Sequence, residues 1–201
     1  MIQTILCNSY IWYYSRILLD FIIGSYRKRK SIIKKRVIKK GDSVLDVGCG
    51  TGEYYDLTEG EFYGIDCDKR YIDFANKKFK NRRDNIRFED KDLNDLNPKD
   101  KKYDVGLLID LTHHISDKEL AALLKKLNSL TTKCIVICDP VKQSSSNLPG
   151  RFLTSLDRGE HIRPKNDLVN IVKKNLIAKK YEIKDLVIGP IETVCILAFK
   201  K

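Results

Sequence analysis

The stretch "VLDVGCGTG", from Val44 to Gly52, decides the fold. A short apolar run that contains Asp46 leads into three glycines at alternate positions. Short apolar runs bounded by turn residues are typical of buried strands, so we predict a strand followed by a glycine loop. In a doubly wound α/β sheet, ligands bind at the carboxyl ends of the strands. The loop is therefore the first candidate for a binding site.

The residues of this loop disfavour a phosphate ligand. A P-loop requires a lysine after its glycines, and none follows here. A dinucleotide loop requires G-x-G-x-x-G, but Glu53 stands where the third glycine should be. A carboxylate at Asp46 repels a pyrophosphate and attracts an ammonium group. These features indicate a ligand with a positive group and no phosphate.

Asp66 indicates a second property of the ligand, a ribose. It ends the next predicted strand, "EFYGID", twenty positions after Asp46. An acid at this position can accept two hydrogen bonds from a ribose diol. S-adenosylmethionine has an amine and a ribose and carries no phosphate, so it suits both acids.

Apolar runs alternate with helical spacings along most of the chain. The predicted strands are 43–48, 61–66, 85–90, 103–110, 133–139, 181–189 and 191–200, and the predicted helices are 70–80, 116–130 and 165–176. The pattern predicts a Rossmann-like α/β fold, a doubly wound and mostly parallel seven-stranded sheet with an antiparallel C-terminal strand. We expect helices in residues 1–40 to cap a main domain at 41–201. An irregular stretch at about 140–164, rich in Pro, Gly and Ser, is expected to be a lid.

The charge of the chain is strongly basic, with a formal net charge of +11. Much of it lies in residues 25–40, "SYRKRKSIIKKRVIKK". Nucleic acid, an anionic membrane surface or an anionic small substrate would each explain such a cluster, and so would a solvated helix face. Residues 10–24 have amphipathic helical spacing and are too short to cross a bilayer.

The six cysteines form no C-x-x-C pair and no cluster with zinc-ligand spacing. The first residues also lack the positive region of a secretory signal. Free thiols in a reducing compartment are the simplest interpretation. We therefore expect a cytoplasmic protein without a bound metal.

Four motifs together resemble the class I S-adenosylmethionine-dependent methyltransferases, of the small-molecule type with unassigned substrate. They are "VLDVGCGTG", "GID" (64–66), "IRFEDKDLNDL" (86–96) and "YDVGLLIDLTHHISD" (103–117). The resemblance covers about residues 41–139 and implies that 41–201 is a class I methyltransferase domain. It also implies S-adenosylmethionine as the cofactor.

The resemblance implies a set of cofactor-binding residues. These are Asp46, Gly48, Cys49, Gly50, Asp66, Cys67, Asp92, Leu93 and Asp110. In the third motif, Asp92 would contact the adenine amino group and the Leu93 amide would contact the ring, although Asp90 competes with Asp92. Asp110 would face the methionine part of the cofactor, and a structural hydrogen bond is the alternative.

The acceptor side is less well defined. His113 and His114 follow the fourth strand, and His114 is the stronger candidate for a catalytic base, unless both only shape the pocket. Two guanidinium groups in the lid suit an anionic acceptor, although pairing with Asp157 and Glu160 would also use them. The expected substrate-binding residues are Tyr13, Tyr14, Arg158 and Arg163.

The acceptor class is left open by the fold, because this fold serves many acceptors. We expect methyl transfer to an O, N or C atom of a small, anionic or lipid-linked metabolite, with peripheral membrane contact as a further partner. An RNA methyltransferase that uses the basic N-terminus is the first alternative. DNA amino methylation is disfavoured, because no [DN]-P-P-[YF] motif follows the fourth strand. A noncatalytic S-adenosylmethionine-binding module is the second alternative.

Overall fold

The computed structural model describes residues 24–157 and 159–200. The chain forms two compact units, the first ending at Asp92 and the second beginning at Leu93. The first contains α1 (Ser25–Arg36), β1 (Val44–Val47), β2 (Phe62–Asp66), α2 (Lys69–Phe79) and β3 (Ile86–Asp90). The second contains β4 (Tyr103–Ile109), α3 (Asp117–Leu130), β5 (Thr131–Pro140), α4 (Leu148–Ser155), α5 (Lys165–Asn175), β6 (Lys180–Ile188) and β7 (Ile191–Phe199).

In the first unit, three parallel strands run in the order β3, β2, β1. All four residues of β1 are buried, including Asp46, which lies opposite Gly64 of β2. A parallel strand covered on both faces requires this apolar composition. The buried carboxylate is the exception in β1, and it marks the point where the strand enters the glycine loop.

Helix α1 contains most of the basic stretch 25–40. Ile33 is fully buried, and Tyr26 packs edge-to-face on Tyr54 with ring centroids 5.8 Å apart. The ammonium of Lys30 lies 2.6 Å from a carboxylate oxygen of Asp56, and that of Lys34 lies 3.6 Å from the other. The exposed basic residues in this part of the chain are Arg27, Lys28, Lys34, Lys35, Arg36, Lys39 and Lys40. One face of the helix is therefore structural, and its other basic residues, except the buried Arg29, face solvent.

In the second unit, β4 pairs parallel to β5, and β7 lies between β5 and β6, antiparallel to both. Strands β6 and β7 meet at Gly189, which has the positive φ of 59° that such a tight turn favours. The Rossmann-like, mostly parallel seven-stranded fold with an antiparallel C-terminal strand is therefore confirmed.

Helix α3 begins with a capping box. The Glu119 amide donates to the Ser116 hydroxyl at 3.4 Å, and the Ser116 amide donates to the Glu119 carboxylate at 2.8 Å. The buried face of α3 carries Leu120, Leu124, Leu127 and Leu130. The helix predicted at 116–130 is thus confirmed, with Ser116 as its N-cap.

Residues 140–164 are more ordered than the sequence suggested. The structure places α4 in the middle of this stretch, with the Asn147 side chain accepting from the Gly150 amide at its start. The expected lid therefore contains a helix of 8 residues. Tyr13 and Tyr14, which were expected to bind the substrate together with the lid, lie outside the described residues. In the part of the chain that the structure describes, no helix is long and apolar enough to cross a membrane.

Candidate functional site

The glycine loop of the first unit turns sharply and is fastened to the end of β2. Gly48, Gly50 and Gly52 have φ angles of 70°, 53° and 80°, a region that side chains other than glycine rarely adopt. The amide of Gly48 donates to the Ile65 carbonyl at 2.8 Å. The amide of Gly50 donates to a carboxylate oxygen of Asp66 at 2.9 Å. The loop and the acid therefore form one hydrogen-bonded structure.

Two of these glycines differ in what surrounds them. A Cβ atom at Gly52 would lie 2.7 Å from ring carbons of Phe88, so this glycine is required by packing. A Cβ atom at Gly50 would meet nothing within 4 Å. The space beside Gly50 is open, and a ligand can approach its backbone closely.

Asp46 is the most perturbed group beside this loop. Its side chain is buried, and its Oδ2 atom makes no hydrogen bond to any described residue. Burial, followed by the charges of Glu53 and Asp66, raises the pKa of the Asp46 carboxyl to about 8. A cation bound here would relieve both the burial penalty and the repulsion. The loop is electrostatically suited to an ammonium group.

Asp66 lies at the end of β2 and is half-buried. Its Oδ1 accepts from the Asp68 amide at 2.8 Å, and its Oδ2 accepts from the Gly50 amide at 2.9 Å. Burial is the largest influence on the pKa of this carboxyl and raises it. Each carboxylate oxygen can accept a second hydrogen bond. A rigidly held carboxylate with this capacity is suited to a ribose diol.

The neighbouring predicted residues have different surroundings. Cys49 is buried, and burial keeps the pKa of its thiol well above the ordinary value, so it packs as a neutral group. Cys67 is exposed, and its sulfur lies 3.9 Å from a carboxylate oxygen of Asp92. Asp90 pairs with Asp66 in the register of β3 and β2 and is exposed, as is Asp92. Both acids are thus open to an adenine amino group.

In the second unit, Leu93 begins a 3-10 turn that ends at Asp95, and its side chain is buried. Asp110 follows β4 and has a φ of 53°, which is uncommon for a residue other than glycine. Its amide donates to the Cys138 carbonyl at 2.9 Å. The backbone at the end of β4 is therefore held in a strained conformation by the neighbouring strand β5, a feature that sequence analysis missed.

His113 is a buried histidine between two acids. Its Nδ1 hydrogen-bonds to Oδ1 of Asp139, and its Nε2 lies 3.4 Å from Oδ1 of Asp157. The Thr112 amide donates to the second oxygen of Asp139 at 2.6 Å. Burial alone would lower the pKa of His113, but the hydrogen bonds and charges of both acids outweigh it and raise the pKa to about 10. His113 is therefore an imidazolium at neutral pH.

His114 has a different environment. Its side chain is 40% exposed, and its Nε2 lies 3.9 Å from Oδ1 of Asp157. The two imidazole rings lie 4.1 Å apart, centroid to centroid. Of the two histidines predicted to be catalytic, His114 is thus the one exposed to solvent.

His113, His114 and Asp157 also offer ligand atoms that lie within 4.8 Å of one another. Two imidazoles and a carboxylate are a ligand set that Zn²⁺ accepts. A metal ion would have to displace the proton of His113, whose pKa of about 10 opposes this. We interpret the cluster as a network of ion pairs.

Asp157 and the segment 159–163, "GEHIR", hold the turn that carries both histidines. The His161 amide donates to the His113 carbonyl at 2.9 Å. A Cβ atom at Gly159 would lie 2.1 Å from the His113 ring, so only glycine fits there without displacement. Asp157 and Gly159 therefore lie against His113 ring atoms other than the Nδ1 that binds Asp139.

Arg163 completes this attachment. It is buried, and its guanidinium donates to Asp117 at 2.7 Å and to the carbonyls of Thr112 and Ile115 at 2.7 Å each. A further bond reaches the His161 carbonyl at 3.1 Å. These contacts give Arg163 a structural role, whereas the sequence predicted that it binds the substrate, with pairing to Asp157 and Glu160 as the alternative. Arg158 lies outside the described residues.

Sequence analysis missed Asp139 and the role of Asp157. Asp139 stands 26 positions from His113, so no local spacing links them. The available signal was the acid at the end of β5, in "CDP", because strand ends in α/β sheets carry functional side chains.

A family model described as "Methyltransferase domain" matches residues 44–133. A ubiquinone biosynthesis O-methyltransferase of Coxiella burnetii is 29% identical over 105 residues, which cover 48% of this chain and 45% of that protein. The chain thus spans about half the length of the curated relatives it matches.

Solved structures are similar over more of the chain. Magnesium protoporphyrin IX methyltransferase from Synechocystis PCC 6803 superposes with a TM-score of 0.68 at 19% identity, covering 89% of this chain and 83% of that one. An S-adenosylmethionine-dependent methyltransferase from Aquifex aeolicus gives a TM-score of 0.65 at 18% identity, covering 86% and 89%. Residues 44–133 are therefore similar to a methyltransferase domain, and the chain has the fold of these solved methyltransferases.

Proposed function

We propose that this chain binds S-adenosylmethionine and transfers its methyl group to a small acceptor. The observation that carries the proposal is the pair of acids at the ends of β1 and β2. Asp46 is a buried carboxyl whose Oδ2 has no hydrogen-bond partner among the described residues, and Asp66 is fixed by the amides of Gly50 and Asp68. One acid suits an ammonium group and the other a ribose.

The protein's own residues supply mainly binding and orientation. The bound cofactor supplies a methyl group that is already activated by its sulfonium sulfur. Asp46 would hold the ammonium group, Asp66 the ribose hydroxyls, and Asp92 or Asp90 the adenine amino group. The open space beside Gly50 lets the ligand reach the backbone. Such positioning supplies a large part of the rate in a transfer between bound groups.

We assign proton transfer at the acceptor to His114. His113 is protonated and lies between Asp139 and Asp157, so it cannot accept a proton at neutral pH. It would act as a positioning residue that orients the neighbouring ring 4.1 Å away. His114 lies in the 3-10 turn Thr112–His114 that comes after β4, and functional groups in α/β sheets lie near such strand ends.

The acceptor we favour is a small, anionic or lipid-linked metabolite. The relatives support this class, because they are named for ubiquinone biosynthesis and for magnesium protoporphyrin IX. The exposed basic residues of α1 support an RNA acceptor as the second candidate.

A methyl-transfer assay with tritiated cofactor tests this proposal against a lipid extract, a metabolite extract and total RNA. We expect label in the lipid or metabolite fraction. We also expect His114→Asn to lower turnover by about 10²-fold or more, with S-adenosylhomocysteine affinity and melting temperature unchanged. Label found only in RNA would contradict the small-molecule acceptor. Labelling of no fraction, with cofactor still bound, would favour a noncatalytic binding module.

A further inference from the structure

Helix α4 has an apolar stripe that faces solvent. Leu148, Phe152 and Leu156 are spaced four residues apart and are 67%, 63% and 60% exposed. Leu156 is the C-cap residue and keeps helical backbone angles, so it continues the stripe. At about 100° per residue, the three side chains fall within an arc of about 80°. Three large apolar side chains on one outward arc form a contiguous patch.

The stripe has no part in attaching α4 to the second unit. The attachment is through Gly150, where a Cβ atom would lie 2.5 Å from the Pro190 carbonyl oxygen. The Asn147 side chain donates to the same carbonyl at 2.7 Å and to the Gln143 side chain at 3.1 Å. Gly150 lies on the side of the helix away from Phe152, since two residues turn the chain by about 200°. The helix is therefore anchored by one face and exposes its apolar face.

Positive charge borders the stripe. An open cavity of about 780 Å³ beside α4 is lined by the cationic residues Lys142, Arg151 and Lys165 and by the hydroxyls of Thr154 and Ser155. Lys165 is paired with Asp185, its ammonium 2.6 Å from the carboxylate. Arg151 makes one long contact of 3.5 Å to the Ser145 carbonyl. The surroundings of the stripe thus attract anions.

We propose that α4 is an interfacial helix that docks this unit on an anionic lipid surface. The stripe would enter the boundary between headgroups and acyl chains, and Lys142 and Arg151 would lie at the level of the lipid phosphates. An apolar outer face combined with bordering Lys and Arg is the pattern of helices that lie in a membrane interface. A second copy of the chain would bring the same cations against one another, so the charge favours lipid. The proposal concerns binding alone and does not depend on methyl transfer.

Co-sedimentation with phosphatidylcholine vesicles, with and without phosphatidylglycerol, tests this directly. The variant Leu148→Ser, Phe152→Ser, Leu156→Ser keeps the charge of the protein and removes the apolar stripe. Its control is Ile177→Ser, Val187→Ser, which removes apolar side chains that are 79% and 59% exposed elsewhere in the same unit. Circular dichroism verifies that both variants are folded.

We expect the protein and the control variant to bind the anionic vesicles, and the stripe variant to bind roughly tenfold or more weakly. We expect Arg151→Gln with Lys142→Gln to weaken binding to the anionic vesicles as well, and this loss to disappear at high ionic strength. The proposal is overturned if the stripe variant binds as tightly as the unmodified protein, because the basic charge alone then accounts for binding. It is also overturned if the unmodified protein does not bind anionic vesicles.

Discussion

Replacing Asp46 by Asn should stabilise the ligand-free protein and weaken cofactor binding. The carboxyl is buried, and its pKa is raised from 3.8 to about 8, so the folded state holds a proton that the unfolded chain releases at neutral pH. Folding must therefore take up a proton, and the cost of that uptake rises with pH. A neutral amide of the same shape removes this cost.

The size of the effect follows from the two pKa values. At pH 7, about three units above the unfolded value, the cost is at most about 4 kcal/mol at about 1.36 kcal/mol per unit. Relaxation of the site reduces it, so we expect a gain of about 2–4 kcal/mol in the free energy of unfolding. The gain should be close to zero near pH 4, grow as the pH rises, and level off above pH of about 8.

Urea unfolding of both proteins at several pH values between these limits measures this gain. Asp84→Asn is the matched control, because Asp84 is an exposed acid in the same unit. Asp46→Asn should also bind S-adenosylhomocysteine on the order of tenfold more weakly than the unmodified protein, because the ammonium group loses its partner. A stability difference that does not change with pH would refute the assignment of a buried, protonated Asp46.

Two further substitutions test the ion pairs around His113. His113→Gln should cost about 3–5 kcal/mol at pH 6, because it leaves a buried acid without its charged partner. The stabilisation by His113 is complete below its unfolded pKa of 6.5 and is lost as the pH rises toward its folded pKa of about 10. The loss of stability in His113→Gln should therefore shrink over this pH range. A loss that does not change with pH would contradict this. Gly159→Ala should lower the free energy of unfolding by about 1–3 kcal/mol, because its Cβ would lie 2.1 Å from the His113 ring. Gly41→Ala is the control for backbone strain alone, because Gly41 has a φ of 81° and its Cβ would meet nothing within 4 Å. Equal losses at the two glycines would argue against close packing on His113.

The sequence was sufficient for the strands and the glycine loop, because these depend on local patterns. Apolar runs and the capping residues Ser116 and Glu119 act within a few positions of the chain. The acids at the ends of β1 and β2 could be related to one ligand because strand ends in an α/β sheet converge. Their burial and raised pKa values depend on packing that no spacing reveals.

The remaining features depend on contacts between distant positions. The sequence predicts that Arg163 binds an anion. Its partners Thr112 and Asp117 lie 51 and 46 positions away in the chain, so local spacing does not reveal them. Helix α4 contains Gly150, which disfavours helix in isolation, and the contacts of Asn147 and Gly150 with the Pro190 carbonyl hold it in place. Tertiary contacts therefore override the local signal in both cases.

Calorimetric titration with S-adenosylhomocysteine tests the central claim, cofactor binding by the glycine loop and its two acids. We expect micromolar affinity, roughly −8 kcal/mol, for the unmodified protein. Asp66→Ala should weaken binding by on the order of 1–3 kcal/mol. Asp73→Ala, which changes an exposed acid on α2, should leave the affinity unchanged. Tight binding of NAD with no response to S-adenosylhomocysteine would contradict the account.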